Sequence, residues 1–306
     1  MANKDAPSAV YAVTARDLAQ QFDVAVAKTV AELHQYTRKI RLGAETIALV
    51  PTMGALHRGH MALVDLARQR AKRVIVSIFV NPLQFGPTED FSTYPRQLQL
   101  DCQLCAAHGV DLVFAPDART MYPQGFQTHV EVEQLTQGLC GASRPGHFRG
   151  VTTIVLKLLN LVMADAAVFG LKDYQQLQAI QRMCLDLAHP TQICAAPIVR
   201  ESDGLALSSR NAYLSASDRQ AARAISQALF GAQRAVAAGQ RDAAELQKRI
   251  STAIDQAGGR VDYVAVVHAE SLQPIARIEQ PARAIVAAHF GRPRLLDNVD
   301  LFGGLS

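Results

Sequence analysis

The chain has 306 residues, 49% of them hydrophobic and 19% charged, which is enough apolar material for a buried core and length for about two domains of roughly 150 residues. That composition excludes a disordered chain, a collagen-like chain and a small disulfide-stapled scaffold. A net charge of +4 without a dense Lys/Arg block suits an enzyme acting on anionic metabolites as well as a nucleic-acid binder, and charge alone does not separate the two; the apolar run over 151–163, broken by Thr152, Thr153, Lys157 and Asn160, falls short of the ~18 residues that a membrane span needs.

Residues 1–22 mix Lys4, Asp5, Arg16 and Asp17 with small residues, lack a continuous apolar signal segment, and read as a peripheral extension. With an odd set of five cysteines (Cys102, Cys105, Cys140, Cys184 and Cys194) in a large chain, this predicts reduced thiols and a cytoplasmic setting. TIALVP (46–51) reads as a short buried strand. Residues 59–72, with apolar Met61, Leu63, Val64, Leu66 and Ala67, read as a helix. VIVSIFV (74–80) is a second buried strand, 95–108 a helix, and DLVFA (111–115) a strand. Val151, Ile154, Val155, Leu158 and Val162 share one face of a helix over 151–162. A strand over 166–170, a helix over 174–188 and a strand over 192–198 follow.

Strands alternating with helices predict an α/β fold: a Rossmann-like, doubly wound parallel sheet covered on both faces. Ligands bind at the carboxyl ends of such strands, here just after Val50, Val80, Phe169 and Ile198. The pattern changes near residue 200. SASD (215–218) opens a long Ala-rich helix with Ile225, Leu229, Ala232 and Val236 on one side. A second helix over about 242–256 is stopped by Gly258-Gly259, and strand-like runs cover 261–267 and 284–289. The expected division is an extension over 1–22, a Rossmann-like domain over 23–198 and a smaller α+β lid domain over 199–306.

Four constellations sit at strand ends. PTMGALHRGH (51–60) lies where a strand yields to a helix. Gly59 lets backbone approach a ligand, and the helix start behind it is expected to offer unpaired N–H groups to a phosphate. His57 and His60, three apart, can both donate to oxygens gaining charge in phosphoryl transfer; a solvated loop with incidental histidines is the alternative. In FVNPLQF (79–85), Asn81 and Gln84 offer amides suited to a small hydroxy acid, unless Asn-Pro marks a plain turn. In GLKDYQQ (170–176), Lys172 can act as a point charge on phosphate, while Asp173 and Gln176 have the spacing of a capping box. Ser208-Ser209-Arg210 form a hydroxyl and guanidinium anion clamp or a solvated interdomain loop. Cys102-x-x-Cys105-x-x-His108 has metal-like spacing but falls within a helix and lacks a second pair of ligands. His129, His147, His189, His268 and His289 stand singly and read as structural. Neither G-x-G-x-x-G nor G-x-x-x-x-G-K-[ST] occurs.

Taken together, PTMGALHRGH (51–60), FVNPLQFGPTEDFSTYPR (79–96), RPGHFRGV (144–151), FGLKDYQQ (169–176) and LALSSRNAYL (205–214) resemble, in the same order, the pantothenate synthetase (pantoate–β-alanine ligase) family of the H-x-G-H nucleotidyltransferase superfamily. The resemblance runs from about Val24 to the C-terminus. It implies ATP-dependent condensation of (R)-pantoate with β-alanine through a pantoyl adenylate, releasing AMP and pyrophosphate. It places Met53, Gly54, Ala55, Leu56, His57, Arg58, Gly59 and His60 at ATP, with His60 in the position usually assigned as proton donor. Gln84 and Gln176, with Asn81, match the amides at pantoate and β-alanine. Gly170, Leu171, Lys172, Asp173 and Val199 match adenosine contacts, and Leu207, Ser208, Ser209 and Arg210 match a mobile phosphate-binding loop. Leu171 stands where many members have Glu, so its contact is expected through backbone. Mg²⁺ is expected on the ATP phosphates with Asp101 as a nearby acid, and the assembly is expected to be a homodimer.

Two rivals make other predictions. A nucleotidyltransferase with a phosphorylated acceptor needs further cations in the acceptor pocket, where Gln84 and Gln176 are neutral. A non-catalytic RNA-binding relative needs a basic stripe and salt-sensitive binding.

Overall fold

The computed structural model describes Phe22, residues 24–87 and residues 89–302. The extension expected over 1–22 lies outside the described residues except for Phe22, which packs on the core.

The aliphatic, β-branched runs become a six-stranded parallel sheet. Its strands are Ala25–Ala27 (β1), Ile47–Thr52 (β2), Arg73–Ile78 (β3), Leu112–Phe114 (β4), Ala166–Gly170 (β5) and Gln192–Ala196 (β6), in the order β1-β4-β3-β2-β5-β6. Ile47, Ala48, Leu49 and Val50 are fully buried, as a continuous apolar run in a sheet covered on both faces requires. The β2–β3 register runs from Ile47↔Arg73 to Thr52↔Ile78, so the two strands end side by side. The loops that leave Thr52 and Ile78 therefore start as neighbours, and Phe79 N–H donates to the Thr52 carbonyl at 3.0 Å.

The helices accompanying this sheet are Val30–Leu42 (α1), Arg58–Arg70 (α2), Leu98–Ala107 (α3), His147–Val162 (α4) and Tyr174–Asp186 (α5). The sequence pattern did not mark α1, although it opens with a Thr29–Glu32 capping box in which Glu32 N–H donates to Thr29 Oγ1 (3.2 Å) and Thr29 N–H to Glu32 Oε2 (2.9 Å). α4 starts four residues before the expected 151, because Gly146, in the left-handed region (φ +81°), turns the chain into the helix at His147. Cys102 and Cys105 face the core from α3. Burial pushes both thiols up, Cys102 to about 12, which keeps them protonated and disfavours metal ligation. Among the described residues no group of three or more His, Cys, Asp or Glu is arranged to hold a metal, and no helix is long and apolar enough to cross a membrane.

The C-terminal part is α+β as expected, but with one strand more. Arg260–His268 (β7), Ala282–His289 (β8) and Arg294–Asp300 (β9) form an antiparallel sheet in the order β7-β8-β9. Ala216–Ala237 (α6) starts where S-x-x-D placed it, with Asp218 N–H donating to Ser215 Oγ at 3.0 Å. Ala243–Gln256 (α7) is capped by Asp242. Ile225, Leu229, Leu246, Ile250 and Ile254 from these helices bury against Val266, Val286 and Val299.

The chain groups into two units. The first comprises the described residues up to Glu131 with Gly146–Phe169 and Met183–Ala196, and the second comprises Val132–Pro145, Gly170–Arg182 and the residues from Pro197 onward. The second unit thus takes in two segments that a linear division at 198 assigns to the first. The reason is local packing: Leu135, Leu139, Leu171 and Tyr174 share a cluster with Val267, Leu272 and Ile285.

Candidate active site

In the first unit, β2 ends at Thr52 and the chain turns through residues 53–57 into α2. Gly54 and Ala55 both lie in the left-handed region, at φ +84° and +51°. A Cβ at Gly54 would stand 3.0 Å from both Asp101 Oδ2 and Ile78 Cγ2, so position 54 has neither the conformation nor the space for a side chain. Asp101, buried on α3, fixes the turn. Its Oδ2 accepts from Ala55 N–H (3.1 Å) and its Oδ1 from Leu56 N–H (2.8 Å). Burial raises the Asp101 carboxyl above the usual range, and the two backbone bonds oppose that rise.

α2 caps itself with histidines. His57 is the N-cap, and its Nδ1 accepts from Gly59 N–H at 3.1 Å. His60 reaches back, its Nδ1 accepting from His57 N–H at 3.3 Å, and the ring centroids stand 4.1 Å apart. An Nδ1 that accepts from a backbone N–H carries no proton, so each neutral imidazole holds its proton on Nε2, across the ring from the cap. Two neighbouring Nε2–H donors result. The unpaired backbone donors expected at this helix start are largely spoken for. Gly54 N–H goes to Thr52 Oγ1, Ala55 and Leu56 to Asp101, His57 to His60 and Gly59 to His57. The two imidazoles therefore sit at the positive end of α2 with its first backbone N–H groups already bonded.

Beside this turn, β3 leads into Asn81 and a 3-10 turn over Pro82–Gln84. Asn81 was expected at substrate, but it is buried and its amide is fully used inside the chain. Oδ1 accepts from Leu83 N–H (3.2 Å) and Tyr122 Oη–H (2.7 Å), while Nδ2 donates to Gln84 Oε1 (3.0 Å) and the Gly150 carbonyl (3.1 Å). With two lone pairs and two N–H groups engaged, the Asn81 amide is tied to Gln84, Tyr122 and the backbone of Leu83 and Gly150. Gln84 Nε2 turns toward Met53 Sδ at 3.0 Å, which brings the amide to the histidine turn, and the Gln84 carbonyl meets His147 Nδ1 at 2.8 Å. Asp101, expected beside Mg²⁺, likewise has both oxygens committed to backbone N–H groups.

In the second unit, Gly170 leads into a 3-10 turn over Leu171–Asp173 that runs directly into α5. Asp173, the candidate N-cap, sits inside this continuous helical path and pairs with Lys172 Nζ at 3.1 Å. Of the two adjacent glutamines, Gln175 is buried, accepting from Cys140 N–H and donating to the Leu135 and Gly138 carbonyls, whereas Gln176 is half-buried. A short hairpin joins Val199 to Leu207, with Leu207 N–H donating to the Val199 carbonyl at 2.9 Å and Gly204 at φ +89° in the turn. Ser208 then caps the 3-10 turn Ser209–Tyr213, its Oγ accepting from Arg210 N–H. β9 ties both segments down. Asp297 grips Arg200 through two bonds of 2.6 and 2.9 Å, and Asn298 Nδ2 donates to the Leu171 and Lys172 carbonyls at 2.9 and 3.0 Å. Gly170–Asp173 and Val199 with Leu207–Arg210 are thus held by adjacent residues of one strand.

The family model described as pantoate-beta-alanine ligase matches residues 25–300. The chain belongs to the pantoate–β-alanine ligase family. It is 52% identical over 275 residues to a pantothenate synthetase of Sphingopyxis alaskensis, covering 90% of this chain and 98% of that one. It also matches the crystal structure of the pantothenate synthetase from Thermus thermophilus with a TM-score of 0.86 and 46% identity, over 90% of this chain and 99% of that one. A pantoate-beta-alanine ligase from Francisella tularensis, crystallised with beta-gamma ATP and β-alanine, matches with a TM-score of 0.76 and 35% identity, over 91% and 98% of the two chains.

Several residues around the site escaped sequence reasoning. Tyr122 lies outside every motif, and His147, within RPGHFRGV but read as a structural histidine, meets the Gln84 carbonyl. Gly150 explains part of RPGHFRGV: a Cβ there would come within 2.7 Å of Gln84 N and closer still to the Leu83 carbonyl, so only glycine lets α4 touch the 82–84 turn. Asp297 and Asn298 were hidden in a segment that lacked a strand signal.

Proposed function

We propose that the chain forms pantothenate in two steps. A carboxylate oxygen of (R)-pantoate attacks the α-phosphorus of ATP and the bond to pyrophosphate breaks, giving pantoyl adenylate. The amine of β-alanine then attacks the acyl carbon, the acyl–oxygen bond to AMP breaks, and pantothenate leaves with loss of the ammonium proton to solvent. Activation is needed because a free carboxylate is a poor acyl donor, while AMP is a good leaving group.

The observation that carries this reading is the reciprocal histidine cap after a parallel strand, which engages each Nδ1 with a backbone N–H, so that each neutral ring carries its proton on Nε2, and holds the ring centroids 4.1 Å apart. Donors held in place where phosphoryl oxygens gain charge stabilise the transition state without reorganising. His57 and His60, with Met53–Leu56 and Arg58-Gly59 forming the turn, are assigned to the ATP phosphates. Gln84 and Gln176 are assigned to pantoate, Asn81 to positioning Gln84, and Gly170, Leu171, Asp173 and Val199 to adenosine. Lys172, Ser208, Ser209 and Arg210, with backbone from Leu207, supply positive charge and hydroxyl donors for anionic oxygens. The ATP and β-alanine bound to the Francisella relative support the same substrate classes here. Mg²⁺ would shield the phosphates of ATP. Asp101, the acid proposed for it, does not fit as a ligand, since its buried carboxylate already accepts two backbone bonds, so the ion is assigned to the nucleotide. The family resemblance further implies a homodimer acting in the cytoplasm, and the native mass in solution tests the first of these.

The test is to incubate the protein with ATP, Mg²⁺ and (R)-pantoate, with and without β-alanine, and to follow products by mass spectrometry. Pantothenate, AMP and pyrophosphate in equal amounts are expected only with both substrates, and a stoichiometric burst of pyrophosphate without β-alanine. ADP and phosphate in place of AMP and pyrophosphate would refute the adenylate route.

A further inference from the structure

The hydrogen bonds around Asn81 have a direction that the backbone dictates. Leu83 N–H can only donate, so the Asn81 atom it meets is the oxygen; the Gly150 carbonyl can only accept, so the atom it meets is the nitrogen. Tyr122 Oη, 2.7 Å from that oxygen, is then the donor and fills its second lone pair. The remaining Nδ2–H goes to Gln84 Oε1, and Gln84 has its Nε2 turned to Met53 Sδ.

We propose that Tyr122 is a positioning residue that acts through Asn81 to hold Gln84 with its amide nitrogen toward the substrate, making this position selective for a carboxylate or hydroxyl oxygen. The proposal rests on the reading that Gln84 handles pantoate. A thioether is a weak acceptor, so an anionic or hydroxyl oxygen can replace Met53 Sδ without Gln84 turning over. An ammonium group at the same place would meet N–H against N–H, which directs the acid and not the amine to Gln84. The Tyr122 ring is set for this task. It packs against Phe79 (centroids 6.0 Å) and Phe126 (4.9 Å), and Lys157 Nζ lies over its face at 5.8 Å while donating to the Met121 carbonyl. Burial also keeps the phenol protonated and therefore a donor throughout the working range.

The experiment compares Tyr122→Phe, Gln84→Ala and the double variant in the full chain, by steady-state kinetics for each substrate and by thermal midpoint. Tyr122→Phe keeps the ring and its packing. It should raise the KM for pantoate by about 3–10-fold, the effect of one hydrogen bond, with the KM values for ATP and β-alanine within about twofold. Gln84→Ala should raise the pantoate KM further, and the double variant should be no worse than Gln84→Ala, because Tyr122 has nothing left to act through. Asn81→Asp, which keeps acceptors for Leu83 and Tyr122 but loses the donor to Gln84 and to the Gly150 carbonyl, should also raise the pantoate KM. Equal penalties from Tyr122→Phe in both backgrounds, or a uniform change in all three KM values, would overturn the proposal while leaving Gln84 at pantoate. An unchanged pantoate KM in Gln84→Ala would overturn the reading of Gln84 and the proposal with it.

Discussion

Gly150→Ala tests the link between packing and chemistry, because two opposing effects make predictions of different sign. Alanine in a helix interior is favoured over glycine by about 1 kcal/mol. Against that, the new Cβ would approach Gln84 N to 2.7 Å, where an ordinary contact is 3.4 Å, so α4 and the 82–84 turn must part by about 0.7 Å or more. The obstructing atoms are backbone, which cannot rotate away. Overpacking of this kind costs about 1–3 kcal/mol, and the bond from Asn81 Nδ2 to the Gly150 carbonyl is lost at about 1 kcal/mol. The net expectation is a loss of about 2 kcal/mol in urea unfolding. The same displacement moves Gln84, and misplacement of a substrate-positioning group on the scale of 1 Å costs up to about 10²-fold. A fall of about 10–100-fold in kcat/KM for pantoate should accompany the lost stability. A Gly150→Ala protein more stable than the parent, with unchanged pantoate kinetics, would refute the account of the α4 contact.

Further outcomes follow from other contacts. His60→Ala should slow pyrophosphate formation by about 10²–10³-fold and cost about 1 kcal/mol in unfolding through the lost half of the cap; normal turnover would exclude His60 from the phosphates. Asp101→Ala orphans the buried Ala55 and Leu56 N–H groups and should cost about 3 kcal/mol in chemical unfolding. Asn298→Leu keeps the volume but releases the Leu171 and Lys172 carbonyls, so the KM for ATP should rise while that for pantoate stays within about twofold. His189 is held neutral: burial lowers its pKa from the ordinary 6.5, Thr191 N–H donates to its Nδ1 and Asn160 Oδ1 meets its Nε2. Its contribution is fully present above pH 6.5 and is lost as pH falls toward the lowered folded value, because the unfolded chain takes the proton first. Unfolding titrations of His189→Gln should show a shallower acid slope in that interval.

What sequence revealed was set by the reach of each signal. The β2–α2 turn was legible because a buried strand, glycines and two histidines all lie within about ten residues, and strand ends in parallel sheets are where ligands bind. The state of each amide was not. Asn81 and Gln84 look alike in FVNPLQF, and their roles separate only through Tyr122, 41 positions away, and Gly150, 69 away. The same holds for Asp101, which reaches back 45 and 46 positions to the turn. β9 was missed because Asp297-Asn298 is the composition of a turn; in the fold both side chains are buried and satisfied by Arg200, Arg283 and the 171–172 carbonyls. The cap of α2 was misjudged in kind. The motif announced a helix start, but nothing local shows that imidazoles would consume the backbone donors that otherwise bind phosphate.

That cap also limits what the histidine pair can do with a proton. An imidazole that hands its Nε2 hydrogen to a leaving group must gain one at Nδ1, either before or in the same step, or become an imidazolate. At His57 and His60 that second nitrogen faces an incoming N–H of the helix start. Protonating it sets two hydrogens against each other and unties the first turn of α2. On the proposed assignment to the ATP phosphates, the pair acts as fixed dipoles rather than as the proton donor that the resemblance implies for His60. Pyrophosphate departure should proceed with a solvent deuterium isotope effect close to unity, and its rate should be flat with pH until acid forces the helix start open.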